Sequence, residues 1–242
     1  MDVIRIDSKQ TKMVAHRGLS GLERENTCAA FVAAGNRSYF GIETDVHTTR
    51  DGKFVIIHDE TTDRVSDGKY RINVENSDYA DIENIVLPDI DGSRTRRDIR
   101  IPLLADYIRI CKKYGKVCVL ELKNEFRPED IARLVDEITD LGYIGQVTFI
   151  SFSWKNCIAV RQLLPDNDVQ WLTDARVTED MAEKLAANGL NLDIYYPRLN
   201  PAAVKMLHER GIKINCWTCD DRAEAEKRVE MGVDYITSDI IE

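Results

Sequence analysis

The stretch GIETDVHTTRDGKFVIIHD, residues 41–59, decides the fold of this chain because a very short turn joins two strand-like runs within it. An Asp-Gly pair between such runs is a strong hairpin signal and usually forms a two-residue loop. That loop would pair Arg50 with Lys53, and counting back along both runs places His58 directly opposite Asp45. We therefore predict an antiparallel hairpin that sets an imidazole beside a carboxylate.

The face of this hairpin carries an acidic pair. Glu43, Asp45 and His47 are two residues apart, so on a strand they point to one side. Directly opposed residues of a hairpin share a face, with Cβ atoms about 4.5–5.5 Å apart. A shift of one residue in the register would turn His58 to the other side. The predicted contact between His58 and the carboxylates therefore depends on the register.

The order of elements predicts the architecture. From residue 116 onward, apolar β-rich runs alternate with helical segments, several of which end at glycine. Upstream lie MVAHRG (13–18), a helix from Glu25 to about Ala34, and the two runs of the hairpin, which bring the strand candidates to nine. Parallel neighbours need a connection of about ten to twelve residues, so the second run of the hairpin must be antiparallel. Eight parallel strands remain, which predicts an α/β fold, a TIM (β/α)8 barrel with an antiparallel hairpin extension on strand 2.

One segment interrupts this rhythm. About forty residues rich in Asp, Asn, Gly and Arg follow His58 without a clear period, before a helix that begins near Pro102. The segment leaves from the catalytic end of a strand, which predicts a small lid insertion at about residues 59–101. We interpret its basic run, residues 93–100, as a solvated loop in preference to an anion-facing lid. A single barrel domain is expected over residues 1–242.

Composition restricts the class of partner and the compartment. A net charge of −9 argues against a nucleic-acid or anionic-membrane surface. The six cysteines include only one C-x-x-C pair, Cys216 and Cys219, so we expect reduced thiols in a reducing compartment. The N-terminus lacks the apolar region of a signal peptide, and no run approaches transmembrane length. We predict a cytoplasmic protein without stable membrane insertion, for which a homo-oligomer remains open.

Polar side chains gather at the predicted C-terminal ends of the barrel strands, where TIM barrels carry their sites. They are His16, Arg17, Glu43, Asp45, His58, Glu121, Lys123, Trp217, Ser238 and Asp239. Three converging carboxylates favour one hard divalent cation, Mg²⁺ or Ca²⁺. Arg17 and Lys123 suit an anionic group such as phosphate, and two histidines suit paired proton transfers. Together these residues predict phosphodiester cleavage, although each of them alone has an ordinary structural explanation. His47 is expected at the rim and His208 on a helix surface.

Several motifs resemble the glycerophosphodiester phosphodiesterase family from about residue 13 to residue 239. They are HRG (16–18), ENT-x-x-AF (25–31), IETDVHTTRDGKFVIIHD (42–59), Arg64, IPLL (101–104), LELK (120–123), SF (151–152), WT (217–218) and GVDYITSD (232–239). The resemblance implies hydrolysis of small glycerophosphodiesters to glycerol 3-phosphate and an alcohol. It also implies site roles by matching position: His16 and His58 as the acid–base pair; Glu43, Asp45 and Glu121 as ligands of one divalent cation; Arg17 and Lys123 on phosphate; Trp217 against glycerol; and Phe152 lining the pocket.

Two departures from the family pattern concern the rim of the site. Arg24 stands where the family often has proline, and Cys219-Asp220 follows Trp-Thr where the family commonly has asparagine. We expect the Asp220 anion to alter headgroup preference. Two alternative functions stay open at this point. One is a phospholipase C- or D-like enzyme of the same barrel type that acts on intact lipids, and the other is a non-catalytic barrel that binds glycerophosphodiesters.

Overall fold

The computed structural model describes residues 2–242, so Met1, with which the predicted domain begins, lies outside the described residues. These residues form nine strands and seven α-helices. The strands are β1 Lys12–Ala15, β2 Gly41–Thr48, β3 Phe54–Ile56, β4 Val117–Leu122, β5 Val147–Ser151, β6 Val169–Thr173, β7 Asn191–Tyr195, β8 Ile214–Trp217 and β9 Tyr235–Ser238. The helices are α1 Cys28–Gly35, α2 Leu104–Tyr114, α3 Pro128–Asp140, α4 Trp154–Leu163, α5 Glu179–Ala187, α6 Pro201–His208 and α7 Arg222–Met231.

Eight of the strands close into a parallel barrel. Their order is β1-β2-β4-β5-β6-β7-β8-β9, and β9 pairs in parallel with β1 to complete the ring. The remaining strand, β3, pairs antiparallel with the C-terminal half of β2. The predicted TIM (β/α)8 barrel with a hairpin extension on strand 2 is confirmed. The C-terminal ends of all eight parallel strands meet at one mouth, where a site can form.

The predicted register of the hairpin is wrong by one residue. His47 pairs with Val55, and the backbone N–H of Ile57, rather than of His58, donates to the carbonyl of Asp45. The turn holds three residues instead of two, because Thr49 and Lys53 close it and Gly52 takes the left-handed conformation at φ +78°. A type I turn followed by a left-handed glycine is the usual geometry of such a loop.

Local chemistry accounts for the ends of several helices. Helix α3 begins at Pro128, which occupies the first turn, where no N–H is needed. The helix predicted from Glu25 begins instead at Cys28. Asn26 holds a positive φ of 54°, and the hydroxyl of Thr27 accepts from the N–H of Ala30 as an N-cap. These two residues stop the helix from extending toward the barrel mouth.

The predicted insertion has an apolar cluster of its own. Within it pack Val65, Val74, Ile82, Ile85, Leu87, Ile99 and Ile101, together with Val55 and Ile57 of the hairpin. The main core lies between the outer face of the barrel and the helices, as a separate cluster. The insertion therefore packs against β3, the second strand of the hairpin, beside the barrel mouth.

The basic run of the insertion forms internal contacts. Arg94 donates to the carbonyls of Val86 and Ser66, and Arg96 pairs with Glu23 of the β1–α1 connection. Arg100 donates to the carbonyl of Arg97. These guanidinium groups bind neighbouring parts of the protein, which disfavours an anion-facing lid, and Arg94 and Arg96 are more tightly bound than the expected solvated loop.

Candidate active site

His16 and Arg17 reach the barrel mouth because the chain turns sharply after β1. Arg17 and Gly18 both have positive φ values, 51° and 77°. A Cβ atom on Gly18 would lie 2.6 Å from the Cβ atom of Ala30, so the turn can pass this close to α1 only with glycine. The backbone N–H of Arg17 donates to Glu43 Oε2 over 2.8 Å. The turn therefore joins the first two strands of the barrel at the site.

Three buried carboxylates converge at the ends of β2 and β4. Asp45 and Glu121 are paired across the two strands, and Glu43 lies one layer below Asp45 on the same face. One oxygen of each carboxylate lies within 4.8 Å of one oxygen of each of the others. Asn26 fixes the orientation of Asp45, since its amide donates to Asp45 Oδ2 over 2.7 Å. An all-oxygen set of this kind suits a hard divalent cation.

Two cations contact this acidic group. Lys123 Nζ lies 2.8 Å from Glu121 Oε1 and 3.5 Å from Asp45 Oδ1. Arg17 Nε lies 3.5 Å from Asp45 Oδ2. Both side chains also line the open cavity at the mouth, where they present positive charge to a bound molecule. The structure thus brings together the acidic and basic residues that the sequence predicts as a site.

The carboxylates do not share these cations equally. Burial and the charges of Asp45 and Glu121 raise the pKa of Glu43 well above its ordinary value. Burial and the charge of Asp45 raise the pKa of Glu121 to about 7. Burial would also raise the pKa of Asp45, but Lys123 and Arg17 hold that pKa below its ordinary value. Negative charge on Glu43 and Glu121 is therefore only partly compensated, a condition that a divalent cation relieves.

His16 is held by the last strand of the barrel. Its Nδ1 lies 2.6 Å from Asp239 Oδ1, and its backbone N–H donates to the carbonyl of Ser238. The hydroxyl of Ser20 donates to the same oxygen of Asp239, and Asp220 Oδ1 accepts from the backbone N–H of Asp239. His16 Nε2 is then free of this network and lies 3.9 Å from Glu43 Oε2.

His58 reaches the site although its strand ends two residues earlier. Because it lies beyond β3, the alternation of side chains along a strand does not govern its direction. Its Nδ1 lies 2.7 Å from Asp59 Oδ1, and Asp59 is gripped in turn by Arg64. Burial lowers the pKa of His58, although nearby Asp45 opposes that shift. His58 and His16 both line the cavity at the mouth.

An ion-pair chain connects the surroundings of the two histidines. Arg64 contacts Asp59 over 2.7 Å and both oxygens of Glu25 over 2.7 and 2.8 Å. Glu25 Oε1 accepts from Arg17 Nη1 over 3.0 Å. The insertion is thus joined through Arg64 to the β1–α1 connection that follows His16.

His47 is fully buried and does not line the cavity, so its expected place at the rim is wrong. Its Nδ1 lies 2.9 Å from Glu75 Oε1 of the insertion, and its Nε2 lies 3.2 Å from the carbonyl oxygen of His58. Glu75 also accepts from Asn124 after β4. His47 therefore connects the hairpin to the insertion.

The cavity at the mouth has a volume of about 90 Å³ and two unlike walls. Most of the charged residues lie at or just beyond the ends of β1, β2, β3 and β4, whereas Ile150, Leu172 and the predicted Phe152 and Trp217 form a mainly apolar wall, which also contains the acidic residue Asp193 of β7. Phe152 is half exposed, and its ring centroid lies 5.7 Å from that of Trp217. The site can therefore bind a phosphate group on one side and an uncharged group on the other.

Two further residues, Asp220 and His208, were expected outside the centre of the site. Asp220 was expected at the rim, but its carboxylate accepts from Ser238 Oγ and from the N–H of Asp239 instead. It is exposed and does not line the cavity, and its effect on headgroup preference stays a prediction. His208 contacts Asp234 over 2.9 Å at a partly exposed position on α6, which agrees with the expected surface location.

Some contacts of the site join residues that lie far apart in the sequence, and these pairings were not predicted. Asp239 lies 223 residues from its partner His16, and Glu25 lies 39 residues from Arg64. Asp193 was not predicted at all, yet it lines the cavity from β7. Burial, together with the charges of Glu121 and Asp168, raises the pKa of Asp193 well above its ordinary value. An acidic residue amid the apolar run LDIYYP was the available signal.

Known proteins resemble this chain over almost its whole length. Residues 16–242 match the model of the glycerophosphoryl diester phosphodiesterase family. A glycerophosphodiester phosphodiesterase of Caldanaerobacter subterraneus subsp. tengcongensis is 28% identical over 232 residues, which cover 95% of this chain and 94% of the relative. A glycerophosphodiester phosphodiesterase of Bacillus altitudinis is 29% identical over 236 residues, with coverage of 95% and 94%. The resemblance seen in the motifs is confirmed.

Two solved structures extend this likeness. A glycerophosphodiester phosphodiesterase from Parabacteroides distasonis superposes with a TM-score of 0.78 at 28% identity, covering 95% of this chain and 93% of that one. An Oleispira antarctica phosphodiesterase, solved in complex with the product sn-glycerol-3-phosphate, superposes with a TM-score of 0.86 at 25% identity. The second superposition covers 98% of this chain and 96% of the other.

Proposed function

This chain belongs to the glycerophosphoryl diester phosphodiesterase family, and on that premise we propose that it hydrolyses glycerophosphodiesters to glycerol 3-phosphate and an alcohol. The observation that carries the proposal is that two imidazoles, two cations and the carboxylates of Glu43 and Glu121 line one cavity, with Asp45 clustered directly beside those carboxylates. A relative with the same fold binds the product sn-glycerol-3-phosphate, which supports the same chemistry here.

We propose that Glu43, Asp45 and Glu121 hold one divalent cation, Mg²⁺ or Ca²⁺. Their oxygens are close enough to share an ion, and the raised pKa values of Glu43 and Glu121 indicate uncompensated negative charge. When bound, such a cation stabilises negative charge on phosphoryl oxygens. The donor set contains oxygen alone, which favours these two metals over zinc.

Arg17 and Lys123 are proposed to bind the phosphate group. Both face the cavity beside the carboxylates, and their ion pairs hold them in place before substrate arrives. A guanidinium can contact two phosphate oxygens at once, whereas an ammonium acts as a point charge. These cations stabilise the charge that develops during cleavage, without any need to rearrange.

His16 and His58 are proposed as the acid–base pair. Each has its Nδ1 on a carboxylate, Asp239 or Asp59, which leaves Nε2 for the substrate. One imidazole accepts a proton from the attacking hydroxyl, and the other donates a proton to the departing alkoxide oxygen. The carboxylates hold the rings in orientation and stabilise the protonated form. A hydroxyl of water or of the substrate's own glycerol serves as nucleophile.

A second candidate, hydrolysis of intact lipids, is favoured by one observation. Phe152 and Tyr195 are exposed on the same side of the mouth as Trp217, to which both rings are close. Aromatic side chains in such positions suit the interface of a membrane. Binding to phosphatidylcholine vesicles and release of diacylglycerol or phosphatidate would support this candidate. No helix within residues 2–242 is both long and apolar enough to cross a membrane.

We further propose that the enzyme acts in the cytoplasm on products of phospholipid deacylation, as a part of lipid and glycerol metabolism. Its six cysteines are free thiols, and all of them except Cys28 are buried. Such thiols persist in a reducing compartment. Cell fractionation with an antibody to the protein tests the location. A single domain over residues 1–242 and a homo-oligomer stay predictions.

The deciding experiment is product analysis with glycerophosphocholine, glycerophosphoethanolamine and glycerophosphoinositol, each with and without a chelator. Glycerol 3-phosphate is expected from at least one substrate, and chelation should abolish its release. Glu43→Gln should weaken metal binding and activity together, whereas Glu129→Gln, at an exposed position on α3, should alter neither. Absence of glycerol 3-phosphate from all three substrates contradicts the function. An undiminished rate after chelation contradicts the metal site alone.

A further inference from the structure

The wall of the cavity opposite the catalytic hairpin contains a buried carboxyl group that the proposed chemistry does not use. Asp193 lies in the middle of β7, lines the cavity, and is only 1% exposed. Its Oδ2 accepts from the side-chain amide of Asn215 over 3.2 Å. Its Oδ1 has no hydrogen-bond partner within residues 2–242. A buried polar atom without a partner is costly and calls for a ligand.

The orientation of this carboxyl group is fixed by neighbouring strands. Asn215 is directly paired with Asp193 on β8, and its side-chain oxygen accepts from the hydroxyl of Thr237 over 3.1 Å. Thr237 belongs to β9 and also lines the cavity. Three successive strands thus hold Oδ2 in place and leave Oδ1 as the unused atom. Such a supported side chain is organised in advance for binding.

The surroundings of Asp193 suit an uncharged hydroxyl group rather than phosphate. Leu172, its paired residue on β6, and Ile150 of β5 are apolar residues of the cavity wall, while the charges that act on Asp193 are those of the carboxylates Glu121 and Asp168. An anionic group would be repelled there, because no cation compensates it. A hydroxyl can both donate to and accept from a carboxyl oxygen.

The topology separates this carboxyl group from the phosphate side of the cavity. β7 lies four strands from β2 in either direction around the ring, so it faces the strand that carries Glu43 and Asp45. A substrate whose phosphorus lies near β2 would extend its far end toward β7. In a glycerophosphodiester, the hydroxyl most distant from phosphorus on the glycerol side is the terminal one.

A second buried polar atom without a hydrogen-bond partner lies near Asp193, which supports a polar ligand on this wall of the cavity. Trp217 Nε1 is buried and has no hydrogen-bond partner among the described residues. Trp217 is paired with Tyr195, two residues beyond Asp193, so the indole and the carboxyl group are diagonal neighbours on one face. The wall therefore offers both an indole N–H and a carboxyl group to a polyol.

We propose that Asp193 is a specificity-determining residue that hydrogen-bonds the terminal hydroxyl of the substrate's glycerol moiety. This inference rests on the proposed function and names the part of the substrate that the β7 wall recognises. It predicts that the enzyme distinguishes a glycerol diester from the analogue that lacks only the terminal hydroxyl. A single hydrogen bond of this kind corresponds to about a tenfold difference in kcat/KM.

The test crosses two enzymes with two substrates. The first compound is whichever of the three glycerophosphodiesters the parent hydrolyses fastest. The second compound is the analogue of that diester without the terminal glycerol hydroxyl. The parent should favour the full substrate by about tenfold in kcat/KM, and Asp193→Leu should lose most of that preference. Asp193→Ala, which adds no bulk, repeats the measurement if the leucine variant fails to fold in thermal melting.

A matched control separates recognition from general damage to the barrel. Asp130→Asn changes another buried carboxylate, on α3, which contacts Arg127 and Arg133 and does not line the cavity. It should affect both substrates by the same factor. The inference is overturned if the parent does not distinguish the substrates, or if the Asp193 variants keep the parent's preference. A parent that hydrolyses no glycerophosphodiester contradicts the proposed function instead, so the two failures are distinct.

Discussion

The two histidine–aspartate pairs at the mouth look alike locally but are built on different parts of the molecule. His16 contacts Asp239 over 2.6 Å, and His58 contacts Asp59 over 2.7 Å. The first pair lies directly beyond the adjacent ends of β1 and β9, two neighbouring strands of the closed barrel, whereas the second lies between the hairpin and the insertion. Side-chain exposure follows this difference, at 16% for His16 and 33% for His58.

This difference indicates how each imidazole is kept in place. The backbone of His16 is part of the barrel's hydrogen-bond ladder, through its N–H to Ser238. His58 lies beyond its strand. Its carbonyl oxygen contacts the imidazole of His47, and its own imidazole is held by the carboxylate of Asp59. Rigid strands position side chains more precisely than connecting segments do. We therefore infer that the His58 side is more sensitive to changes in its supporting contacts.

The largest effect is expected from removal of either imidazole. His16→Ala and His58→Ala should each lower kcat by about a thousandfold, because each ring supplies one proton transfer. Steady-state kinetics on the best glycerophosphodiester measures this. His208→Ala, at a partly exposed position on α6, is the matched control and should leave kcat near the parent value. A large loss for only one of the two variants would break the proposed symmetry of roles.

The aspartates should show the asymmetry between the two pairs. Asp59→Asn and Asp239→Asn should each lower kcat by about ten- to a hundredfold, with little change in KM. Asp59→Asn should cost more, because His58 has no strand to hold it. Kinetic constants for both variants, at matched metal concentrations, provide the comparison. If Asp239→Asn is the more damaging change, the barrel does not supply the extra support we infer.

Of the two aspartates, Arg64 should be coupled to Asp59 and not to Asp239, because it contacts Asp59 and Glu25. Arg64→Gln should lower kcat about fivefold, equivalent to about 1 kcal/mol, because Asp59 loses the hydrogen bonds that hold its carboxylate in place. Combined with Asp59→Asn, the effect should be much less than additive, whereas combination with Asp239→Asn should be additive. Arg71→Gln is the matched control, since within residues 2–242 that exposed arginine pairs with Asp63 alone. Equal coupling to both aspartates would contradict the separation.

The smallest effect is expected in the pH dependence of stability. Burial opposes the shift, but the hydrogen bond from Arg64 lowers the pKa of Asp59 to about 2 and lowers that of Glu25 too. Depressed folded-state pKa values stabilise the protein above the unfolded values near about 4 and lose this contribution as the pH falls toward 2. The difference in unfolding free energy between parent and Arg64→Gln should be about 1 kcal/mol at neutral pH and shrink below pH 4. Urea titrations across this range measure it, and a constant difference would contradict it.

Short-range pattern was enough to predict much of the molecule. The two-residue spacing of Glu43 and Asp45 implied a shared face, and both carboxylates do converge with Glu121. The short turn after β2 required an antiparallel strand, which left eight parallel strands for the barrel. These predictions succeed because strand periodicity and loop length are local properties.

Errors arose where a prediction depended on details of backbone conformation. The two-residue loop was wrong because Gly52 adopts a left-handed conformation that allows a three-residue turn. That shift alone would have turned His58 away from the carboxylates. His58 still lines the cavity because it lies outside the strand, where Asp59 and the insertion determine its direction.

By itself, then, the sequence determined the barrel, the antiparallel extension and the side of each strand on which Glu43, Asp45, Glu121 and Lys123 lie. Only the tertiary structure decided which distant groups support them. Asp239 reaches His16 because β9 closes the barrel against β1, and Asp193 faces the charged strands because β7 lies across the ring. The physical reason is that side-chain alternation is a property of neighbouring residues, whereas contact across the mouth depends on how the whole ring closes.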